Sequence, residues 1–445
     1  MVNGYILYLI MPAIFSLRNI LLAMGILAAL ISALLFAKPE LLGRGGNDAK
    51  GDVLLWGTLP EGDMNAITQL FNPQAKTYAV RYRYVPEAEF DQRLLEALAS
   101  GVGPDLILTP YQKILSQAQR IQPIPAVSLP EKTFKDMYVD GASILYTPEG
   151  AVGLPVSVEP LVLFYNRSLL SKHSVVNPPE FWDEVGTIAP ALTVRQNNKF
   201  LESGIALGTP DIPYAKDIIM AIVGQLGQVP VVRIPTQLGQ SYFSVQANEP
   251  VTEGSQILPL TTTNVFFTQF GDSGQRTYTW NSSFGNATDV FVSEKLAMYI
   301  GYSGELSTLR ARNPRADIAM TYLPQTRGYN TFVTGMRMYA IATLKSSKNM
   351  GAAFATQVQF AGGGVSPSIA AIVGAPPALR SYATTQGLDP VVARSMLVAR
   401  GWYDSHERES TAYVSTMISD IINYRYGVND ASTMFVGRMR DLYSR

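Results

Sequence analysis

The chain of 445 residues contains no cysteine. Disulfide bonds, thiolate nucleophiles, iron–sulfur clusters and cysteine-ligated zinc are therefore excluded. A lipoprotein anchor is excluded as well, because its lipid is attached to a cysteine. The two histidines, His173 and His406, are far apart in sequence, so we expect neither a histidine metal site nor histidine-based catalysis. The sequence thus predicts a protein without metal or cofactor.

Charged residues are also few. They make up 16% of the chain, against about 25% in a typical soluble domain. The 35 basic and 35 acidic residues balance, so the net charge gives no reason to expect a nucleic-acid partner. Apolar residues reach 47%, enough for a sizeable core. At ~100–200 residues per domain, the length predicts about two or three folding units.

The N-terminal region contains an uncharged apolar run at residues 20–37. A helix of about 20 residues spans the ~30 Å hydrocarbon core of a bilayer. A cleaved signal peptide is the alternative, but its apolar region is usually ~7–15 residues long and its cleavage site needs small residues. Leu35 stands where a small residue is needed for cleavage after Ala37. An uncleaved anchor is therefore the preferred interpretation.

We accordingly predict an N-terminal membrane anchor at residues 1–38, which crosses the membrane through residues 14–37 as one transmembrane helix. Residues 39–51 include Gly43, Gly45 and Gly46 and are predicted to form a short flexible linker.

The following segments alternate between strand and helix patterns. Short apolar runs predict strands, and a wider apolar spacing predicts helices. This alternation is typical of an α/β fold with a parallel sheet. The predicted strands are 52–57, 78–85, 105–108, 161–165, 295–301 and 337–343, and the predicted helices are 64–71, 90–100, 180–188, 215–226, 284–293, 349–360, 396–403 and 413–424.

Two segments rich in proline or glycine are predicted to connect parts of the fold. Pro155 and Pro160 flank short extended runs, which suits a crossover between domains. Gly362, Gly363 and Gly364 lack the Lys-Ser/Thr of a phosphate-binding loop, so we predict a turn that connects two lobes.

The order of several segments resembles extracellular solute-binding proteins of the maltose-binding type. The hinge segment, VGLPVSVEPLVLFYNRSLL at 152–170, carries the most specific part of the resemblance. The other matching segments are VLLWG at 53–57, LASGVGPDLI at 98–107, PPEFWDE at 178–184, AMYIG at 297–301 and IAMTYLP at 318–324.

The resemblance implies a two-lobed periplasmic-binding-protein fold of type II. One lobe would contain residues 52–157 and 328–385, and the other residues 158–327 and 386–445. A sugar or oligosaccharide ligand would be enclosed when the lobes close about a hinge. The protein would be a monomer held outside the cytoplasm that delivers its ligand to the permease subunits of an ABC transporter.

Candidate ligand-binding residues follow from the same resemblance. Glu159 occupies a position that contacts sugar in the family, and Tyr214 matches a tyrosine that stacks on sugar; a hinge salt bridge and helix-start packing are the alternatives. Tyr111 follows a predicted strand, where a surface turn is the alternative. Glu61 and Thr58 are candidates to hydrogen-bond sugar hydroxyls. Trp280 is a further candidate, with core packing as the alternative. The remaining candidates are Tyr302, Ser303 and Trp402, which is followed by Tyr403. Trp56 and Trp182 are predicted core residues.

Two other functions remain open at this point. A glycoside hydrolase needs two carboxylates across a cleft, and Glu159 with Glu61 would be the pair. The sequence gives no reason to pair them, so we do not expect an enzyme. A membrane-tethered ligand sensor or adhesin is the other alternative.

Overall fold

The predicted anchor and linker, residues 1–51, lie outside the residues that the structure describes. Among the described residues, no helix is both long enough and apolar enough to cross a bilayer. The computed structural model describes residues 52–75, 78–197, 199–235, 241–252, 255–329 and 332–444.

Strands and helices alternate along the described chain. The strands are β1 (Val53–Gly57), β2 (Val80–Tyr84), β3 (Leu106–Pro110), β4 (Ile124–Pro125), β5 (Tyr146–Thr147), β6 (Gly150–Ala151), β7 (Leu154–Asn166), β8 (Val194–Gln196), β9 (Lys199–Ile205), β10 (Val231–Pro235), β11 (Ser241–Val245), β12 (Leu296–Tyr302), β13 (Ile318–Tyr322), β14 (Thr334–Thr343) and β15 (Ala399–Arg400). The helices are α1 (Glu61–Ala75), α2 (Phe90–Ala99), α3 (Tyr111–Ser116), α4 (Glu131–Met137), α5 (Arg167–Lys172), α6 (Trp182–Ala191), α7 (Ala215–Gln225), α8 (Pro259–Thr268), α9 (Ala287–Val292), α10 (Glu305–Arg312), α11 (Met350–Ala361), α12 (Ser366–Ile372), α13 (Pro390–Val398), α14 (Glu407–Ile422) and α15 (Val428–Tyr443).

One mixed sheet runs through the whole body, in the order β2-β1-β3-β14-β7-β12-β9-β8. Strands β1, β2 and β3 are parallel, as are β9 and β12, whereas β14 is antiparallel to both β3 and β7. The first half of β7 pairs with β14, and its second half pairs with β12 and β13. The long strand β7 therefore joins two groups of strands, and the predicted α/β class is confirmed.

Buried apolar side chains form two separate clusters on either side of the middle of β7. The first core takes its residues from 53–158 and 336–399, and the second core from 161–323 and 402–442. Helix α13, predicted in the second lobe, touches both: Met396 belongs to the first core and Val391 packs against the second. The exact lobe boundaries stay a prediction.

Several predicted elements differ from the observed ones. The predicted helix 396–403 is wrong, because α13 ends at Val398 and β15 then pairs in parallel with the start of β14. The predicted helix 284–293 begins only at Ala287, since the Asn286 side chain caps it by accepting from the amides of Thr288 and Asp289. The hairpin β10–β11 and helix α15 had no prediction.

The glycine triplet 362–364 does not connect two lobes. It joins α11 to α12, and the buried Phe360, Ala361 and Ile369 on either side all belong to the first core. The prediction of a lobe-connecting turn is therefore wrong. In α2, Phe90 and Leu94 are buried, whereas Leu95 is 54% exposed.

Candidate functional site

The middle of β7 is where the carboxyl ends of both strand groups meet. Pro110 at the end of β3 lies opposite Tyr339 of β14, and Tyr339 lies opposite Ser157 of β7. From the other side, Tyr302 at the end of β12 lies opposite Leu161 of β7. Ligands of open α/β sheets bind outside the carboxyl ends of strands. The segment 157–161 is therefore the expected position of a binding site between the two cores.

Glu159 lies within this segment and is 2% exposed. Its Oε1 accepts a hydrogen bond from the Gly304 amide at 3.0 Å, and its Oε2 accepts from Arg337 Nε at 2.8 Å. The second Arg337 nitrogen, Nη2, lies 2.6 Å from the same oxygen. A carboxylate removed from water needs such partners. Glu159 and Arg337 therefore form the salt bridge that was the alternative prediction, as a cross-strand pair between β7 and β14.

Two tyrosines pack beside this ion pair. The guanidinium carbon of Arg337 lies 4.6 Å from the ring centre of Tyr302, a cation–π distance. The ring of Tyr214 meets the ring of Tyr302 edge-on at 4.8 Å. Tyr214 has a left-handed backbone, with φ of 60°, immediately before α7. This conformation is uncommon for a residue other than glycine, and such strain often marks functional positions. We call Glu159, Arg337, Tyr214, Tyr302 and Gly304 the crossover cluster.

The loop after β12 completes the crossover cluster. The Ser303 amide donates to the Pro160 carbonyl at 3.0 Å, which places Gly304 against Glu159. A Cβ atom at Gly304 would lie 2.6 Å from Glu159 Oε1, so only glycine allows this approach. The Ser303 side chain is buried, and its hydroxyl makes no hydrogen bond to the described residues. A polar group left in that state is costly unless something binds it.

A second polar group, the lysine cluster of Lys216, Asp404 and Ser410, lies in the second core. Lys216 Nζ is 2.6 Å from Asp404 Oδ2, and the Ser410 hydroxyl donates to Asp404 at 2.9 Å. Burial lowers the pKa of Lys216, but Asp404, Asp217 and Glu407 together raise it above its ordinary value. The Tyr302 hydroxyl donates to Asp217, which connects this charged group to the crossover cluster.

Tyr111 and Trp402 meet where the two cores touch. The Tyr111 hydroxyl donates to the Trp402 carbonyl at 3.3 Å, and both side chains are largely buried. They line a cavity of about 270 Å³ together with Asp217. Tyr111 begins α3, Asp217 lies in the first turn of α7, and Trp402 follows β15. The cavity that they line opens between the two cores.

Thr58, Glu61 and Trp280 have different positions. Thr58 follows β1 and faces the hydroxyl of Tyr339, near the crossover cluster. Glu61 is exposed in the first turn of α1, and none of its described contacts reaches the cluster. Trp280 is 0% exposed and belongs to the second core, where its ring meets Phe284 at 5.5 Å. Trp280 is therefore a core-packing residue, which was the alternative to its predicted role in ligand binding.

A larger cavity, with a volume of about 840 Å³, lies elsewhere between the cores. Its walls include Phe243, whose ring stacks on Tyr403 at 4.4 Å, and the ion pair Glu149–Arg233 at 3.6 Å. Neither cavity is lined by a residue of the crossover cluster, but Asp217, which accepts a hydrogen bond from Tyr302 of that cluster, lines the smaller one. We place the candidate site at the crossover cluster and the smaller cavity, because the strand ends converge there.

Sequence reasoning missed several charged residues of this site. Arg337 is a single charge within the apolar strand TGMRMYAIAT, and Lys216 and Asp217 are two charges at the start of the apolar helix α7. A charge within an otherwise apolar element is the signal that would have found them, because such a charge needs a partner.

Glu407 supplies a prediction about pH. Burial raises its pKa to about 7, Lys216 lowers it, and Asp404, the exposed Glu87 and Asp217 raise it. The folded chain therefore keeps this carboxyl protonated at a pH where the unfolded chain, with a pKa near 4.5, has ionised it. The stabilisation is complete below the unfolded pKa and is lost as pH rises through the folded pKa.

Glu407→Gln is accordingly expected to have a higher free energy of unfolding than the wild type at pH 8, and to match it near pH 5. Urea unfolding at several pH values measures this difference. Glu409→Gln, an exposed position on the same helix, is the matched control. Parallel pH profiles for the wild type and Glu407→Gln would show that the carboxyl titrates alike in both states.

Comparisons with known proteins agree with this geometry. The family model of bacterial extracellular solute-binding proteins matches residues 57–358, more than half of the chain. A comparison with curated proteins found no match.

Solved structures of similar fold include sugar-binding proteins. An ABC substrate-binding protein from Listeria monocytogenes in complex with cycloalternan has a TM-score of 0.66 and 14% identity, covering 88% of this chain and 99% of its own. The GacH receptor of Streptomyces glaucescens, solved with acarbose, has a TM-score of 0.66 and 17% identity, with coverage of 89% and 99%. The cyclic alpha-maltosyl-1,6-maltose binding protein of Arthrobacter globiformis has a TM-score of 0.68 and 16% identity, with coverage of 87% and 97%. The two-lobed α/β fold is shared with these structures, and the chain belongs to the bacterial extracellular solute-binding protein family.

Proposed function

We propose that this chain captures a sugar or oligosaccharide outside the cytoplasm and delivers it to an ABC importer. The observation that carries the proposal is the convergence of strand ends from both cores on the crossover cluster. There, aromatic rings and hydrogen-bonding groups lie side by side, and these are the two kinds of group that suit the C–H faces and hydroxyls of a sugar. The sugar ligands of the similar structures support the same class of ligand.

Ligand capture would work by rotation of the two lobes about β7 and β14. These strands carry the main-chain connection between the cores, so bending them changes the gap between the strand ends. A ligand that touches both lobes favours the closed state by the free energy of the contacts made only there. Tyr111 of the first core and Trp402 of the second are the residues whose separation would report closure.

Residues 14–37 would anchor the chain in the membrane, which rests on their apolar sequence alone. Permease subunits of an ABC transporter would receive the ligand from a monomer. We propose residues 52–157 and 328–385 as one lobe and 158–327 and 386–445 as the other, with the two cores as support.

Thermal unfolding of the full chain with a panel of saccharides, peptides and polyamines tests the function. A saccharide at 100 times its Kd is expected to add about 2.7 kcal/mol to the free energy of unfolding. Tyr214→Ala should weaken binding by ~1 kcal/mol through the lost ring contact. Tyr242→Ala, at a tyrosine 54% exposed, is the control and should bind as the wild type does. Stabilisation by peptides or polyamines alone would refute the sugar assignment.

A further inference from the structure

Of the ion pair Glu159–Arg337 in the crossover cluster, only Arg337 is exposed enough to contact a ligand. Both oxygens of Glu159 already accept hydrogen bonds, one from the Gly304 amide and one from Arg337. The side chain of Glu159 is 3% exposed, whereas that of Arg337 is 35% exposed. A molecule entering between the cores therefore meets the guanidinium group, and the carboxylate lies behind it.

The guanidinium group is held in a fixed orientation. Glu159 holds its Nε and Nη2, and the ring of Tyr302 lies beneath it at 4.6 Å. Tyr302 is itself fixed by its hydroxyl on Asp217 and by the edge of Tyr214. Among the described residues, none accepts a hydrogen bond from Arg337 Nη1. Donors fixed in this way bind a ligand with little loss of side-chain entropy.

The charges around Arg337 decide which ligand it accepts. Glu159 neutralises its charge, and Lys216 is neutralised by Asp404. Asp217 and Glu305 add further negative charge next to Tyr302, since Glu305 accepts from the Tyr302 amide at 2.8 Å. An anionic ligand group would be desolvated beside these carboxylates, which costs free energy. An uncharged oxygen with free lone pairs meets no such penalty.

We propose that Arg337 is the specificity-determining residue of this cleft and that it donates to hydroxyl or ring oxygens of an uncharged saccharide. Glu159 is then a positioning residue, which holds the guanidinium group and does not touch the sugar. Acidic sugars are excluded by the surrounding carboxylates. This inference rests on the proposed function, because it names the ligand class of the same site.

Isothermal titration calorimetry on the full chain tests the assignment. The tightest neutral saccharide of the panel is compared with its uronic-acid counterpart, and the wild type is expected to bind the uronic acid at least about tenfold more weakly, as expected for an unfavourable charge. The double variant Glu159→Gln/Arg337→Met removes both charges together, because one charge left alone in a buried pair strongly destabilises a fold. It is expected to bind the neutral sugar about 10- to 100-fold more weakly, the effect of losing hydrogen bonds from a charged donor.

Two single variants separate orientation from charge. Arg337→Lys keeps the positive charge beside Glu159 but loses the planar fork, so weaker binding with an unchanged preference for the neutral sugar is expected. Glu159→Gln leaves the guanidinium charge uncompensated, so the uronic acid should gain affinity relative to the neutral sugar. Thermal unfolding and circular dichroism establish that each variant is folded.

The outcomes distinguish this inference from the proposed function. A folded double variant that binds the neutral sugar as tightly as the wild type would overturn the role of Arg337 alone. A wild type that prefers the uronic acid would overturn the exclusion of acidic sugars. A wild type that binds no saccharide would overturn the proposed function and this assignment with it.

Discussion

Lys216→Met is expected to lower the free energy of unfolding by about 3–5 kcal/mol, because it leaves a buried carboxylate without its partner. The Lys216 side chain is 7% exposed and that of Asp404 is 1% exposed, with 2.6 Å between Nζ and Oδ2. Asp217 and Glu407 also act on Lys216, so the substitution leaves three acidic groups near one another. Urea unfolding at pH 8 measures the loss.

Two comparisons make this prediction specific. The loss should shrink as the pH falls towards 5, because Glu407, with a pKa of about 7, is then protonated and no longer repels its neighbouring carboxylates. Lys132→Met is the matched control: Lys132 pairs with Asp136, but the two side chains are 86% and 62% exposed. Exposed pairs of this kind contribute about 0–1 kcal/mol. Equal losses for the two substitutions would show that burial of the Lys216–Asp404 pair has no energetic effect.

Trp280→Ala is expected to destabilise the chain by about 3–5 kcal/mol, the usual cost of removing a large buried aromatic side chain. Trp280 is 0% exposed and packs within the second core. Under conditions where the variant remains folded, its affinity for the saccharide should be that of the wild type. Thermal unfolding and calorimetry on the same preparation measure the two effects.

Trp402→Ala serves as the comparison, because Trp402 is also a buried aromatic residue of the second core but lines a cavity. Trp402 lines the cavity between the two cores, and its backbone carbonyl accepts a hydrogen bond from the Tyr111 hydroxyl of the first core. Its replacement should reduce ligand affinity more than Trp280→Ala does, since it removes an aromatic surface where the two cores meet. If Trp280→Ala lost ligand binding while remaining as stable as the wild type, the sequence-based candidate role of Trp280 would be restored.

The sequence alone determined the local elements that carry the fold. Apolar runs predicted β1, β3 and β12, and helical spacing predicted α2 and α7, because these patterns depend only on neighbouring residues. Glu159 was identified through the family resemblance, and its position within an apolar strand indicated that the carboxylate needs a partner. Tyr214 was correctly expected to precede a helix.

The tertiary structure alone decided what those residues contact. Arg337 meets Glu159 across 178 positions of sequence, and Lys216 meets Asp404 across 188. Trp280 was a candidate for ligand binding or core packing by sequence, and the structure places it in the second core. Strand register and burial depend on which distant segments pair, and local patterns contain no information about that pairing. The sequence therefore indicated where a charge needed a partner, and the fold determined which partner it has.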